Sequence, residues 1–273
     1  MNFTKGHGSK NDFICFADPD GQIELTAEQV RFLCDRRAGI GADGILRAVR
    51  LKHIPPAQLP AELFAQDPDT WFMDYRNADG TMAEMCGNGL RVFTRFLIDS
   101  GLTEGPTVNV ATRAGMRSGR ILADGSVEAS LGKVTLGTPD SVTIVAGGRR
   151  FSGTPADVGN PHAVCFTTGI AQINITKQPS WLPPKAFPNG VNVEFVEDLG
   201  PGKLNLRVHE RGSGETLACG TGVVAAAAVA ATRWPEPVQI VEVNVPGGTL
   251  YVRFFAGNAY LIGPAVLTFS GAL

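Results

Sequence analysis

Two short segments hold the residues best suited to chemistry: Cys86-Gly87-Asn88-Gly89 and Cys219-Gly220-Thr221-Gly222. Each opens a stretch that reads as a helix, about Gly89 to Ser100 in one case and about Gly222 to Arg233 in the other. A helix N-terminus presents unpaired N–H groups and about half a positive charge. It binds carboxylates, and flanking glycines let a ligand approach the backbone closely. A cysteine placed there has its thiolate favoured and its pKa lowered. Each segment therefore joins a carboxylate cradle to a reactive sulfur. Two such elements facing one another would put a sulfur on each side of a bound carbon, the arrangement that inverts a stereocentre. One thiolate takes the α-proton and the opposite thiol returns a proton to the other face. Helix ends aimed at the carboxylate would stabilise the carbanion, best in a closed, dry site. Nothing in the two segments demands a cofactor: a pyridoxal phosphate enzyme needs a Schiff-base lysine, and neither segment contains one. The chain has no CxxC and no HExxH, so no metal site is expected.

The elements that must position these cysteines are mostly strands. Thr107–Val110, His162–Phe166, Val191–Phe195, Leu204–Val208, Val238–Val241 and Thr249–Phe254 are β-rich, and several alternate apolar and polar residues between Gly, Pro or Asp turns. Lys52–Thr70 carries Pro55, Pro56, Pro60 and Pro68 and reads as an irregular excursion with at most one helical turn around Ala61–Ala65. In the first helix Leu90, Phe93 and Leu97 share a face, and Gly101 is a stop. Arg91 and Arg95 are assigned to a solvated or paired face. In the second helix Val223–Ala231 is apolar all round, as in a fully buried helix. The two Cys-Gly-x-Gly starts lie about half the chain apart. Upstream of each is an Asn near a Gly and a His: His7-Gly8-Ser9-Lys10-Asn11 and Gly159-Asn160-Pro161-His162. This pattern is a weak internal duplication, with a site expected between the halves.

Composition sets the outer limits. The chain has 273 residues, 44% hydrophobic and 18% charged, with a formal net charge of −2. That is globular composition, and it lacks the basic footprint of a nucleic-acid or membrane-surface binder. The longest apolar run is far shorter than the ~20 residues a spanning helix needs. The first residues, Met1 to Gly8, lack the apolar h-region of a secretory signal. There are five cysteines at wide spacings, so reduced thiols in the cytoplasm are expected. Cys15, Cys34 and Cys165, set among apolar neighbours, are assigned to core packing.

Five stretches together resemble the diaminopimelate epimerases: Lys5–Phe13, Asp35–Gly44, Tyr75–Arg91, Gly159–His162 and Glu210–Gly222. They occur in the family's order and span the chain. The resemblance implies an α/β (α+β type) fold of two pseudo-symmetric halves, each a sheet wrapped around a central helix, with the active site in the cleft between them. The halves are expected at residues 1–115, with 264–273 returning to them, and 116–263. The implied activity is interconversion of LL- and meso-diaminopimelate without a cofactor, on the route to lysine and peptidoglycan precursors. Cys86 and Cys219 match the two acid/base residues, and His162 and Glu210 match residues that assist near the reacting centre. Asn11, Asn77, Asn160, Asn192, Glu210 and Arg211 match positions that hold the substrate, while Gly87-Asn88 and Gly220-Thr221 match the carboxylate cradle. A buried Arg would grip the distal carboxylate with both arms of its guanidinium, and such a site rejects amino acids that lack the distal groups. A homodimer is implied, with diaminopimelate the small-molecule partner and neither nucleic acid nor membrane involved. Inactivation by oxidation of the paired thiols is also expected. Two alternatives stay open: a racemase of the same fold acting on histidine or proline, and a non-catalytic amino-acid-binding protein. The chain departs from some family members at Gly44, where they carry a polar residue, and at Lys10, where they carry Gly.

Overall fold

Strand-forming stretches dominate the computed structural model, which describes residues 1–273. Two compact units emerge, Met1–Ser130 with Gly263–Leu273, and Leu131–Ile262. The first unit extends past the expected limit at residue 115 because the chain continues there as paired strands.

In the first unit the strands are β1 (Asn2–Gly8), β2 (Asn11–Ala17), β3 (Gly44–Arg50), β4 (Trp71–Asn77), β5 (Thr107–Thr112), β6 (Gly115–Ile121) and β7 (Val127–Gly132). β1 and β2 form an antiparallel hairpin, β2 runs parallel to β3, and β3 is antiparallel to β4. β4 meets β5 in parallel, and β5, β6 and β7 follow in antiparallel order. The last strand of the chain, Val266–Ala272, pairs antiparallel with β1. Helix α2 (Gly87–Asp99) packs against β1, β2, β3, β4, β6 and the last strand. A short helix, α1 (Ala27–Cys34), precedes β3 and was not expected. Its start is a capping box: Thr26 Oγ1 accepts from Gln29 N–H, and Gln29 Oε1 accepts from Thr26 N–H. Val30, Leu33 and Cys34 of α1 join Phe3, Ile14, Phe16 and Ile45 in one apolar cluster. The Pro-rich excursion holds three 3₁₀ turns, Leu51–His53, Pro56–Gln58 and Ala61–Ala65, where one was expected.

The second unit contains β8 (Thr135–Leu136), β9 (Val142–Ala146), β10 (Arg149–Asp157), β11 (Pro161–Phe166), β12 (Ser180–Leu182), β13 (Asn192–Asp198), β14 (Lys203–Glu210), β15 (Gly214–Thr216), α3 (Gly220–Ala231), β16 (Ile240–Val245), β17 (Gly248–Phe255) and β18 (Asn258–Gly263). β10 and β11 are an antiparallel pair, β11 runs parallel to β13, and β13 is antiparallel to β14. β14 then runs parallel to β16, and β16, β17 and β18 follow in antiparallel order. Element for element this repeats β1 to β7, with α3 in the place of α2. Every residue of α3 from Gly220 to Ala230 is buried. Its valines and alanines are small enough for β10, β11, β13, β14, β16 and β17 to pack around it. No helix of the protein is long and apolar enough to cross a membrane.

Candidate active site

Each cysteine of the two motifs is the N-cap of its helix. Cys86 has extended backbone, φ −140° and ψ 121°, and its Sγ accepts from Gly89 N–H at 3.3 Å. Cys219 has φ −111° and ψ 111° and makes no side-chain cap bond. Its Sγ lies 3.5 Å from Thr221 Oγ1. Cys86 is half-buried, whereas Cys219 is buried.

Cys86 Sγ donates to the side-chain oxygen of Asn11, at the start of β2, at 3.7 Å. The same oxygen accepts from Asn88 Nδ2 at 3.4 Å, and Asn11 Nδ2 donates to Asp43 at 2.8 Å. Asn77, at the end of β4, donates to Thr81 Oγ1 at 3.0 Å. Gly87 and Asn88 form the buried first turn of α2. Around Cys219 the pattern recurs. Asn160 precedes β11 and donates from Nδ2 to Thr221 Oγ1 at 3.3 Å. In both units, then, the residue two after the cysteine bonds the asparagine that introduces the parallel strand.

The second unit adds ionisable groups. His162 is fully buried, with Nδ1 2.7 Å from Glu194 Oε1 and Nε2 2.9 Å from Asn160 Oδ1. Glu210 accepts from Thr216 Oγ1 at 2.5 Å. Burial pushes its carboxyl above the usual carboxylate range, against the pull of bonds from Thr216 and Cys219. The expected lowering of a helix-end thiol fails at Cys219. Burial pushes it well above the ordinary value, and the carboxylates of Glu210 and Glu194 push it further, outweighing the Thr221 hydroxyl. Cys219 therefore rests as a thiol beside the Glu210 carboxyl.

Two arginine assignments need correcting. Arg91 is not on a solvated face: it is fully buried, donates to Ser9 Oγ at 3.2 Å and the Pro264 carbonyl at 3.4 Å, and burial pushes its guanidinium down to about 10. Arg95 does lie near Asp99, at 3.8 Å one turn on. Arg211 is exposed rather than buried because it stands in the turn after β14, where Nη1 donates to the Asn189 carbonyl at 3.2 Å. Asn192 uses both ends of its amide inside the protein: it accepts from Arg211 N–H at 2.9 Å and donates to the Pro161 carbonyl at 3.1 Å. Its place is to anchor the Arg211 backbone. At Gly44 a Cβ would meet the Arg76 carbonyl at 2.5 Å and the Tyr75 ring at 2.8 Å, so no polar side chain fits. Lys10 is exposed, at φ 66° in the β1–β2 turn. Cys15, Cys34 and Cys165 are buried, and burial pushes the Cys34 thiol up to about 11 and the other two higher still. Glu194 was missed. The available signal was its place two residues after Asn192, which puts both on one face of a strand.

Comparison with known proteins agrees with this architecture. The sequence is 44% identical to a diaminopimelate epimerase of Thermobifida fusca, with 99% of this chain and 97% of that protein aligned. It is 42% identical to one of Corynebacterium glutamicum, covering 97% and 95% of the two chains. Among solved structures, a phenazine biosynthesis protein of the PhzF family from Bacillus anthracis superposes with a TM-score of 0.71 at 15% identity, covering 99% and 98%. A hydroxyproline epimerase from Agrobacterium vitis superposes with 0.68 at 16%, covering 99% and 91%. These two share the mixed α/β fold. The family model for diaminopimelate epimerase matches residues 3–137 and 154–268. A match of that extent, with relatives of such identity aligned almost end to end, means that the chain belongs to the diaminopimelate epimerase family.

Proposed function

We infer that this protein is an isomerase that interconverts LL- and meso-diaminopimelate by a two-base mechanism without a cofactor. The observation that carries this is the pair of helices in equivalent topological positions, each begun by a cysteine N-cap whose second following side chain bonds an asparagine. One sulfur removes the α-proton and the other delivers a proton to the opposite face, so the chemistry requires one thiolate and one thiol at the start of each turnover. The half-buried Cys86, with a donor already aimed at its sulfur, suits the thiolate role. Cys219, raised by burial and by Glu210 and Glu194, suits the acid. For the reverse direction to start from this state, Cys219 passes its proton to Glu210 and Cys86 takes one from solvent, so that one thiolate and one thiol are again present. Gly87-Asn88 and Gly220-Thr221 offer the reacting carboxylate their N–H groups, which also stabilise the carbanion. Asn11, Asn77, Asn160 and Arg211 hold the amino-acid groups, and the exposed Arg211 guanidinium takes the distal carboxylate. Asn192 and His162 act by holding Arg211 and Asn160 in place. A cytoplasmic homodimer completes the reading.

The test is proton NMR of LL-diaminopimelate with the reduced protein in D₂O. Deuterium entering one α-carbon while the meso isomer grows is the expected result. Cys86→Ala and Cys219→Ala should each abolish epimerisation in a folded protein. Absence of exchange with the folded, fully reduced protein refutes the substrate assignment, and full turnover by either variant refutes the two-base mechanism.

A further inference from the structure

The two units can be compared at the residues beneath their helix starts. In the first, Phe13 and Leu46 lie under the first turn of α2: a Cβ built on Gly89 would meet Leu46 at 3.4 Å and Phe13 at 3.5 Å. The parallel register pairs Phe13 with Gly44 and Cys15 with Leu46. In the second, His162 pairs with Asn192 and Val164 with Glu194. His162 therefore occupies the place of Phe13, two residues after the introducing asparagine, and Glu194 occupies the place of Leu46. A Cβ on Gly222 would lie 2.6 Å from Glu194 Oε1. The same scaffold thus carries a Phe–Leu pair under one cysteine and a His–Glu pair under the other. The fold is satisfied by apolar residues there. Two fully buried ionisable groups cost desolvation energy, so their presence calls for a purpose beyond packing.

The bonds of that pair run in one direction. Both ring nitrogens of His162 face oxygen acceptors, Glu194 Oε1 at 2.7 Å and Asn160 Oδ1 at 2.9 Å. Both are met when the ring carries two N–H groups, as an imidazolium beside a carboxylate. With Asn160 Oδ1 taken by the ring, its Nδ2 donates to Thr221 Oγ1 at 3.3 Å. That leaves the Thr221 proton to point at Cys219 Sγ, 3.5 Å away. We propose that Glu194 is a positioning residue for the epimerase reaction, holding His162 doubly protonated at the head of a relay, His162–Asn160–Thr221, that aims a donor at Cys219 whenever its sulfur is a thiolate. When Cys219 is a thiol its proton turns to Glu210 instead. The relay offsets the burial and carboxylate charges that oppose the Cys219 thiolate, so that the residue can serve as base as well as acid. This rests on the function proposed above. The ionisable groups around this His–Glu pair are Glu210 from β14, which feels both members, and Cys219 at the start of α3 and Cys165 in β11, which feel Glu194.

The test uses the full chain labelled with ¹⁵N-histidine. The chain has four histidines, and His162→Asn identifies the ring signals of His162. In the wild type both ring nitrogens should show N–H signals at neutral pH, as their two oxygen partners require. In Glu194→Gln one ring nitrogen should lose its N–H signal under the same conditions, and kcat falls on the order of 10²-fold with KM little changed. Glu194→Asp restores the charged ring and part of kcat, which a purely structural loss would not do. Glu194→Leu supplies the residue the first unit uses at this place and carries the same two readouts should Glu194→Gln not fold. A ring that keeps both protons without the carboxylate, or an unchanged kcat, overturns the proposal. If the wild type shows no epimerisation, the proposed function fails, while the ring N–H signals still report on Glu194.

Discussion

Gly89 and Gly222 hold equivalent positions, three residues after their cysteines in the first turns of α2 and α3. Replacing each by Ala should give different results. Neither has a positive φ, so no backbone strain enters. In a helix, Ala for Gly is favourable by up to about 1 kcal/mol. At Gly89 the new methyl meets Cys86 Cβ at 3.3 Å, Leu46 at 3.4 Å and Phe13 at 3.5 Å, a tight fit against apolar groups that can shift by tenths of an ångström. Gly89→Ala should therefore change stability by less than about 0.5 kcal/mol. At Gly222 the methyl arrives 2.6 Å from Glu194 Oε1 and 3.3 Å from Glu194 Cδ. That carboxylate is fully buried and bonded to His162 at 2.7 Å, so it cannot retreat without breaking a buried charged hydrogen bond. Overpacking of this kind costs about 1–3 kcal/mol. Less the helix gain, the net loss is roughly 0.5–2 kcal/mol, or a Tm lower by a few °C at about 2–4 °C per kcal/mol. Thermal unfolding of the two variants measures it directly. In Gly222→Ala/Glu194→Ala the losses should be less than additive, because the second change removes the atom the methyl meets. Equal losses at the two glycines, or full additivity in the double variant, would refute the claim that Glu194 occupies the space under α3.

Three other outcomes are expected. Asp74 is fully buried; burial opposes its ionisation, but Arg113, Arg47 and Arg76, at 2.6, 2.7 and 3.0 Å, overcome this and hold its carboxyl below the usual range. Its contribution is present above the unfolded value of ~4 and is lost as pH falls through the lower folded value; Asp74→Asn should cost about 3–5 kcal/mol at neutral pH and flatten the acid limb of a stability–pH curve. Arg211→Lys keeps the charge but loses the planar fork, so KM for diaminopimelate should rise roughly tenfold to a hundredfold with kcat less affected, as steady-state kinetics would show. Thr26→Ala removes the capping box of α1 and should cost about 1 kcal/mol, read as a small fall in Tm with unchanged kcat.

Much of the site could be read locally. A cysteine followed by Gly-x-Gly and an apolar run specifies a helix that begins at the cysteine, because the cap and the first turn are decided by a few adjacent residues. Both helices in fact begin two residues earlier than their apolar pattern indicated, at Gly87 and Gly220, since the glycines carry no hydrophobic signal. The buried Cys15, Cys34 and Cys165 follow from their apolar neighbours in the same way. Helix α1 escaped notice although its Thr-x-x-Gln cap was present, because only three of its eight residues face the core.

The amino-acid order alone was enough for the family, the two Cys-Gly-x-Gly segments, the helix each cysteine caps and six of the nineteen strands, since each of these is written in short runs of neighbouring residues. It did not reveal that Arg91 is buried, that Gly44 has no room for a side chain, or that His162 and Glu194 lie beneath one cysteine where Phe13 and Leu46 lie beneath the other. Nor did it reveal that the Cys219 thiol is raised where a helix end by itself would lower it. These outcomes belong to the tertiary structure. Burial, close approach and the charge felt by a thiol are set by what distant strands bring alongside, and those interactions depend on distance through the folded protein rather than on separation along the chain.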